Sequence, residues 1–145
     1  MNVQADPFNM DRFVRAQEGV YDIALAEIED GHKSTHWMWF IFPQIAGLGF
    51  SETSRRYAIA SREEAKAYLR HPVLGPRLLR CAQAALRVEG LSANEMFGSP
   101  DDMKLRSCAT LFAAVSPPGS VFARIIGKYF GGHPDPRTLE LLQHG

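Results

Sequence analysis

Cysteine is scarce in this sequence, neither sign of charge is in excess, and long apolar runs and hairpin signals are missing; each shortage excludes something. Two cysteines in 145 residues, Cys81 and Cys108, cannot build the disulfide framework that staples small secreted domains. Both stand in helix-like apolar surroundings without CxxC spacing, so buried free thiols are the plain expectation. Lysine plus arginine number 16 and aspartate plus glutamate also 16, a formal net charge of zero. A general nucleic-acid binder needs a strong basic excess and is not expected. The longest apolar run, Trp37 to Phe42, is far too short to span a bilayer, which takes about 20 residues. The amino end lacks a basic region followed by an apolar one, so no signal peptide is expected and the chain reads as cytoplasmic. Neither HExxH nor CxxC occurs, so no metal centre is expected, and no cofactor is implied. No Asn-Gly or Asp-Gly turn stands between alternating apolar segments, and no internal repeat is present.

The composition that is there, 46% hydrophobic and 22% charged, is that of an ordinary globular protein. A chain of this length makes one domain, burying roughly 68–70% of its unfolded surface. The charge is unevenly placed. Residues 1–30 hold seven acids (Asp6, Asp11, Glu18, Asp22, Glu27, Glu29, Asp30) against Arg12 and Arg15, so this part nets −5 and the remainder +5. Phe13, Val20, Tyr21, Ala24, Leu25 and Ile28 recur at helical spacing and predict one amphipathic helix over 10–30, with Gly31 as its left-handed cap. Residues 1–8 are expected as a loose lead. Gln17 shares the apolar face with Phe13 and Tyr21, and a buried amide must find a partner.

Beyond residue 60 every strong start and stop signal is helical. Ser61 with Glu64 and Ser92 with Glu95 have capping-box spacing, and His71-Pro72 ends a helix over 62–70. A helix follows to about Val88. Ser99-Pro100, with Asp101 and Asp102, opens another to about Val115, stopped by Pro117-Pro118-Gly119. Ser120 starts the next, closed by Gly131-Gly132, and Asp135-Pro136 caps a last one. The expected fold is all-α: a single compact domain of about six or seven helices around an aromatic central segment.

That segment, residues 33–51 (KSTHWMWFIFPQIAGLGFS), holds both tryptophans, Trp37 and Trp39, with Met38, Phe40 and Phe42. Pattern alone leaves helix or strand open for so short a run. Its aromatic content favours a strand; Ser34 or Thr35 as cap and Pro43 as stop favour a two-turn helix. The helix is preferred because a lone strand would lack a partner. The plain reading of an all-apolar segment is central core. Its frame is polar, however: Lys33 and His36 before it, Gln44 after it, then Gly47-Leu48-Gly49, whose glycines allow close backbone approach. Such a mixture can line a small-molecule pocket. A second polar line, Lys104, Ser107 and Thr110, climbs the helix after Pro100. It reads either as a solvated edge or as a phosphate or carboxylate site, with lysine as point charge and hydroxyl as donor.

The string Lys33, His36-Trp37-Met38-Trp39-Phe40, Phe42-Pro43-Gln44, Gly47-Leu48-Gly49 and Ser51 resembles the bacterial and fungal family catalogued as domain of unknown function 1810. The likeness runs from Arg12-Phe13-Val14 and Ala16-Gln17 through His71-Pro72 to Lys104, Ser107 and Thr110-Leu111-Phe112. It implies a small all-helical fold with no established activity, cofactor or partner. Some genomes label the family calpastatin, which has no physical support: calpain inhibition uses disordered repeats, and this chain is compact and unrepeated.

Two functional readings follow. In the first, the domain binds a small anionic or nucleotide-like ligand near the aromatic segment, and whether it also catalyses is open. Lys33 and Lys104 would hold the anion and Trp39 would stack a flat ring. Gln17, Gln44 and Ser107 would add polar contacts, and His36 would be the acid/base residue. In the second, the motif is structural core and the glycine turn with its apolar neighbours is an interaction surface, as in a homodimer.

Overall fold

Gly19 divides the amino-terminal amphipathic stretch into two helices, α1 (Asp11–Gln17) and α2 (Tyr21–Glu29). In the computed structural model, which describes residues 6–144, Glu18 is extended and Gly19 takes φ +71°. Glycine enters that left-handed region without a Cβ clash. Helical spacing survives the break because Phe13, Ala24, Leu25 and Ile28 all reach the same core. Residues 1–5 of the expected lead lie outside the described residues. Within that lead the Asp6 carboxylate accepts from the Met10 and Asp11 amides at 2.7 and 3.0 Å, which holds its pKa below the ordinary value.

The remaining helices are α3 (Met38–Ile41), α4 (Glu52–Arg56), α5 (Arg62–Arg70), α6 (Leu74–Arg87), α7 (Ala93–Phe97), α8 (Asp101–Ala114), α9 (Val121–Phe130) and α10 (Pro136–His144). The chain is therefore all-α, with ten helices among the described residues instead of six or seven. The excess comes from the break at Gly19, from the unexpected α4, which Ser51 caps by accepting from the Ser54 amide, and from single-turn pieces. The aromatic segment is helical only over Met38–Ile41, because neither Ser34 nor Thr35 caps it and Trp37 stands at its start.

Side-chain caps mark the starts of α4, α5, α7, α9 and α10. Ser92 and Glu95 form the reciprocal box, with bonds of 2.9 and 3.0 Å. Ser61 accepts from the Glu64 amide, but Glu64 does not reciprocate; its carboxylate accepts from the Ala60 amide and from Arg12. Ser99 does not cap α8, whose first amides find the Gly98 and Pro100 carbonyls and the Asp102 side chain. Gly131, at φ +62°, closes α9 as a left-handed cap.

α8 and α9 pack on each other, α6 packs against α2, α5 and α9, and their common face is one apolar core. Trp37, Phe42 and Phe97 make a triangle of rings 6.0–6.3 Å apart. A second series runs Phe13, Tyr68, Phe112, Phe122 at 5.1–5.5 Å. Cys81 and Cys108 are free buried thiols within this core, and burial pushes the Cys81 thiol up to about 12. No helix among the described residues is long and apolar enough to cross a membrane.

Arg12 ties the start of α1 to the stretch where α4 leads into α5. Its guanidinium donates to Glu64 at 2.8 Å, to the Ala58 and Arg56 carbonyls at 2.8 and 2.7 Å, and to the Phe8 and Asn9 carbonyls. Every donor of the fork is used, so lysine cannot replace it. Arg12→Met leaves Glu64 buried and unpaired and is expected to cost about 3–5 kcal/mol. In urea unfolding the midpoint falls with the slope unchanged, and Arg12→Lys recovers only part of the loss.

Candidate functional site

Near the end of α2, the Glu27 carboxylate gathers four donors. Its Oε1 accepts from the Ser34 amide at 2.8 Å, the Thr35 amide at 3.1 Å and the Trp37 indole at 2.9 Å; its Oε2 accepts from the Thr35 hydroxyl at 2.7 Å. Burial alone raises the carboxyl's pKa, but the hydrogen bonds to its charged form outweigh that and bring it down to about 2. The clamp carries Trp37 into the core and places Lys33 with its Nζ 4.9 Å from the Trp37 ring centre.

Asp101, at the start of α8, then takes one lysine on each oxygen: Lys33 at 2.9 Å and Lys104 at 3.2 Å. Lys104 in turn lies over Trp39, 4.2 Å from the ring centre. The result is a row of indole, ammonium, carboxylate, ammonium and indole with one positive charge in excess. Lys33 is spent: its side chain is 7% exposed and also donates to the Thr35 carbonyl at 2.6 Å. Lys104, at 21%, keeps donor capacity.

Lys104 and Trp39 line a cavity of about 380 Å³. Gln44 and the 46–49 turn supply part of its wall. The turn is anchored where Ile45 and Ile59 form an isolated parallel bridge, through Ile59 N to Gln44 O and Ala46 N to Ile59 O, both 2.8 Å. Gly47 sits at φ +103°, and a Cβ on Gly49 would fall 2.6 Å from the Ser54 hydroxyl, so the turn needs both glycines. Among the described residues, neither the Gly47 nor the Gly49 amide nor the Gln44 side chain has a protein hydrogen-bond partner. Arg55 and Tyr57 follow along the wall, Tyr57 held against Phe40 and Phe13 with ring centres 5.4 and 5.8 Å away. α8 adds Met103, Lys104 and Ser107, and Asp135 precedes α10. The polar line on α8 is a docking edge for that residue: Ser107 Oγ lies 3.1 Å from Asp135 Oδ2, and Thr110 Oγ1 accepts from the Asp135 amide at 2.9 Å.

Of the seven residues singled out from sequence, Trp39, Gln44, Lys104 and Ser107 converge on this cavity. Lys33 stands behind it, linked to it through Asp101 and Lys104. Gln17 is elsewhere, 2% exposed, donating to the Phe40 carbonyl at 2.8 Å and to Tyr68 at 3.2 Å while accepting from Arg77. It is a satisfied buried amide and does not line this cavity. His36 is exposed and does not line the cavity, because the Glu27 clamp turns Trp37 inward and leaves its neighbour outside. Sequence reasoning did not select Arg55, Asp101 or Asp135. Asp101 was signalled by its three-residue spacing from Lys104; nothing local ties Asp135 to Ser107.

Against known proteins, the family model described as a protein of unknown function, DUF1810, matches residues 7–142. The chain belongs to the DUF1810 family. Its fold is similar to the crystal structure of the conserved hypothetical protein Rv1873 from Mycobacterium tuberculosis. The TM-score is 0.93 and the identity 49%, over 95% of this chain and 99% of that one. Among curated proteins none matches. The cavity of this DUF1810 chain lies within the matched span, as do the Glu27 clamp and the lysine–aspartate row.

The clamp has a pH signature. Glu27 has a pKa of about 2 when folded against an ordinary 4.5, so its contribution is complete above 4.5 and is lost as pH falls towards 2. Glu27→Gln is expected to lower the stability of this DUF1810 domain at neutral pH and to flatten its decline through that acid window. Unfolding midpoints measured across the window, beside a Trp37 fluorescence signal, check this.

Proposed function

We propose that this domain binds a small anionic, nucleotide-like ligand in the cavity between the glycine turn and α8. The observation that carries the reading is the convergence of Trp39, Lys104 and the unpartnered Gln44 amide on one hollow of about 380 Å³, a size suited to a small ligand. The excess charge of the lysine–aspartate row supports one anionic group, and exposed Arg55 adds a second cation at the wall. Partial desolvation strengthens that attraction relative to a surface lysine. Free backbone amides at Gly47 and Gly49 are further donors suited to an anion. The reading is one of binding: with His36 away from the cavity, nothing supports it as acid or base.

Adenosine 5′-monophosphate is expected to raise the melting temperature of the wild-type domain in a concentration-dependent manner. Lys104→Met, which keeps an unbranched chain over Trp39, should weaken that binding by about tenfold in calorimetric titration, the worth of one charge-assisted contact. Neither adenosine 5′-monophosphate nor inorganic phosphate stabilising the wild type would overturn the reading.

A second reading rests on Phe50, 82% exposed immediately after the glycine turn, with Met103 also exposed at the cavity wall. These side chains suit a self-association surface in a homodimer. On that reading light scattering gives a dimer mass for the wild type and a monomer mass for Phe50→Ser.

A further inference from the structure

Asp135 is a carboxylate in a cavity otherwise suited to an anion, and its bonding is asymmetric. Its Oδ2 accepts from the Thr138 amide at 3.1 Å and from the Thr138 hydroxyl at 2.5 Å, and it faces Ser107 Oγ at 3.1 Å. All three partners are inward: Thr138 and Ser107 are buried. The other oxygen, Oδ1, has no protein donor among the described residues, although an ionised carboxylate offers about four lone-pair sites. The helix cap at α10 thus uses one oxygen only. The loop that delivers Asp135 is itself fastened, because Arg106 donates to the His133 and Pro134 carbonyls at 2.8 and 3.0 Å. A preset carboxylate with a free oxygen repels the ligand's anionic end and seeks a neutral hydrogen-bond donor.

The spacing restricts which donor. Lys104 and Ser107 are three residues apart on α8, about 4.5 Å along the helix axis, and Asp135 is docked on Ser107. Anion holder and free carboxylate oxygen therefore stand within the reach of a single small molecule. A phosphate ester of a sugar has this layout, with the charge at one end and hydroxyl donors a few bonds away. Carboxylates serve this purpose in dinucleotide-binding folds, where an acidic side chain accepts from the ribose 2′-hydroxyl.

Resting on the proposed anion site, we infer that Asp135 reads sugar hydroxyls and that the ligand class is a ribose phosphate such as a ribonucleotide, not a deoxyribonucleotide or a simple anion. Lys104 holds the phosphate, Trp39 and Tyr57 offer ring surface, and Asp135 Oδ1 accepts from the ribose. Asp135 is here a specificity residue and takes no part in bond making.

The test is calorimetric titration of the full chain with adenosine 5′-monophosphate, its 2′-deoxy and 3′-deoxy analogues, and inorganic phosphate. At least one deoxy analogue is expected to bind about tenfold more weakly than the ribonucleotide, the worth of one hydrogen bond to a charged group. Asp135→Asn, which retains a helix-capping side chain, should bring ribonucleotide and deoxyribonucleotide within about twofold, and because it removes a negative charge from the cavity it should bind inorganic phosphate no more weakly than the wild type. Equal binding of ribo and both deoxy forms by the wild type would overturn the inference and leave the anion site standing. Binding of none of the four probes would overturn both.

Discussion

The buried indole of Trp37 is the constraint around which the rest is arranged. A tryptophan at the centre of an apolar core brings an N–H that must be paired. Glu27 pairs it and uses its remaining capacity on the backbone of residues 34 and 35. One carboxylate thereby joins α2 to the loop, orients the ring toward Phe42 and Phe97, and presents the opposite side of the loop to α8. The Lys33–Asp101–Lys104 row follows from this placement, since Lys33 has little freedom once Trp37 is seated beneath it.

The same economy applies to charge. Three of the seven acids of the first thirty residues have specific posts: Glu27 on the indole, Asp6 on the start of α1, Asp11 paired with Arg15. Arg12, from the same region, gives three of its five donors to residues 56–64, where α4 leads into α5, and the other two to the Phe8 and Asn9 carbonyls. That segment includes Tyr57 and Ala58 of the cavity wall, so the Arg12–Glu64 pair and the Glu27 clamp shape the hollow from two sides without entering it. Net charge zero conceals a local excess beside Trp39, and there the chemistry of a small anion has support.

Much of the fold was legible because its signals are local. Ser61, Ser92, Ser120 and Asp135 cap helices as their spacing predicts, and Gly31 and Gly131 end them. Gln17, on an apolar face, had to find partners and did. The break at Gly19 was hidden because two short helices on one core preserve the periodicity of a long one. Glu64 misled differently: its spacing from Ser61 fits a capping box, but a half-buried arginine competed for the carboxylate.

The site was legible in half. Trp39, Gln44 and the glycine turn lie in one short stretch, and their unusual composition marks them. Lys104 and Ser107 are marked by helical spacing. His36 was drawn in by the same proximity but is exposed and does not line the cavity, since adjacent residues entering a helical turn face different ways. Sequence by itself therefore determined the all-α class, most helix ends and the identity of the aromatic hub. These depend on backbone capping and on apolar periodicity within a few residues. Only the tertiary structure decided which polar groups meet. The bond from Lys33 to Asp101, and Asp135 with one oxygen to spare against Ser107, depend on contacts between elements distant in the chain, where no spacing rule operates.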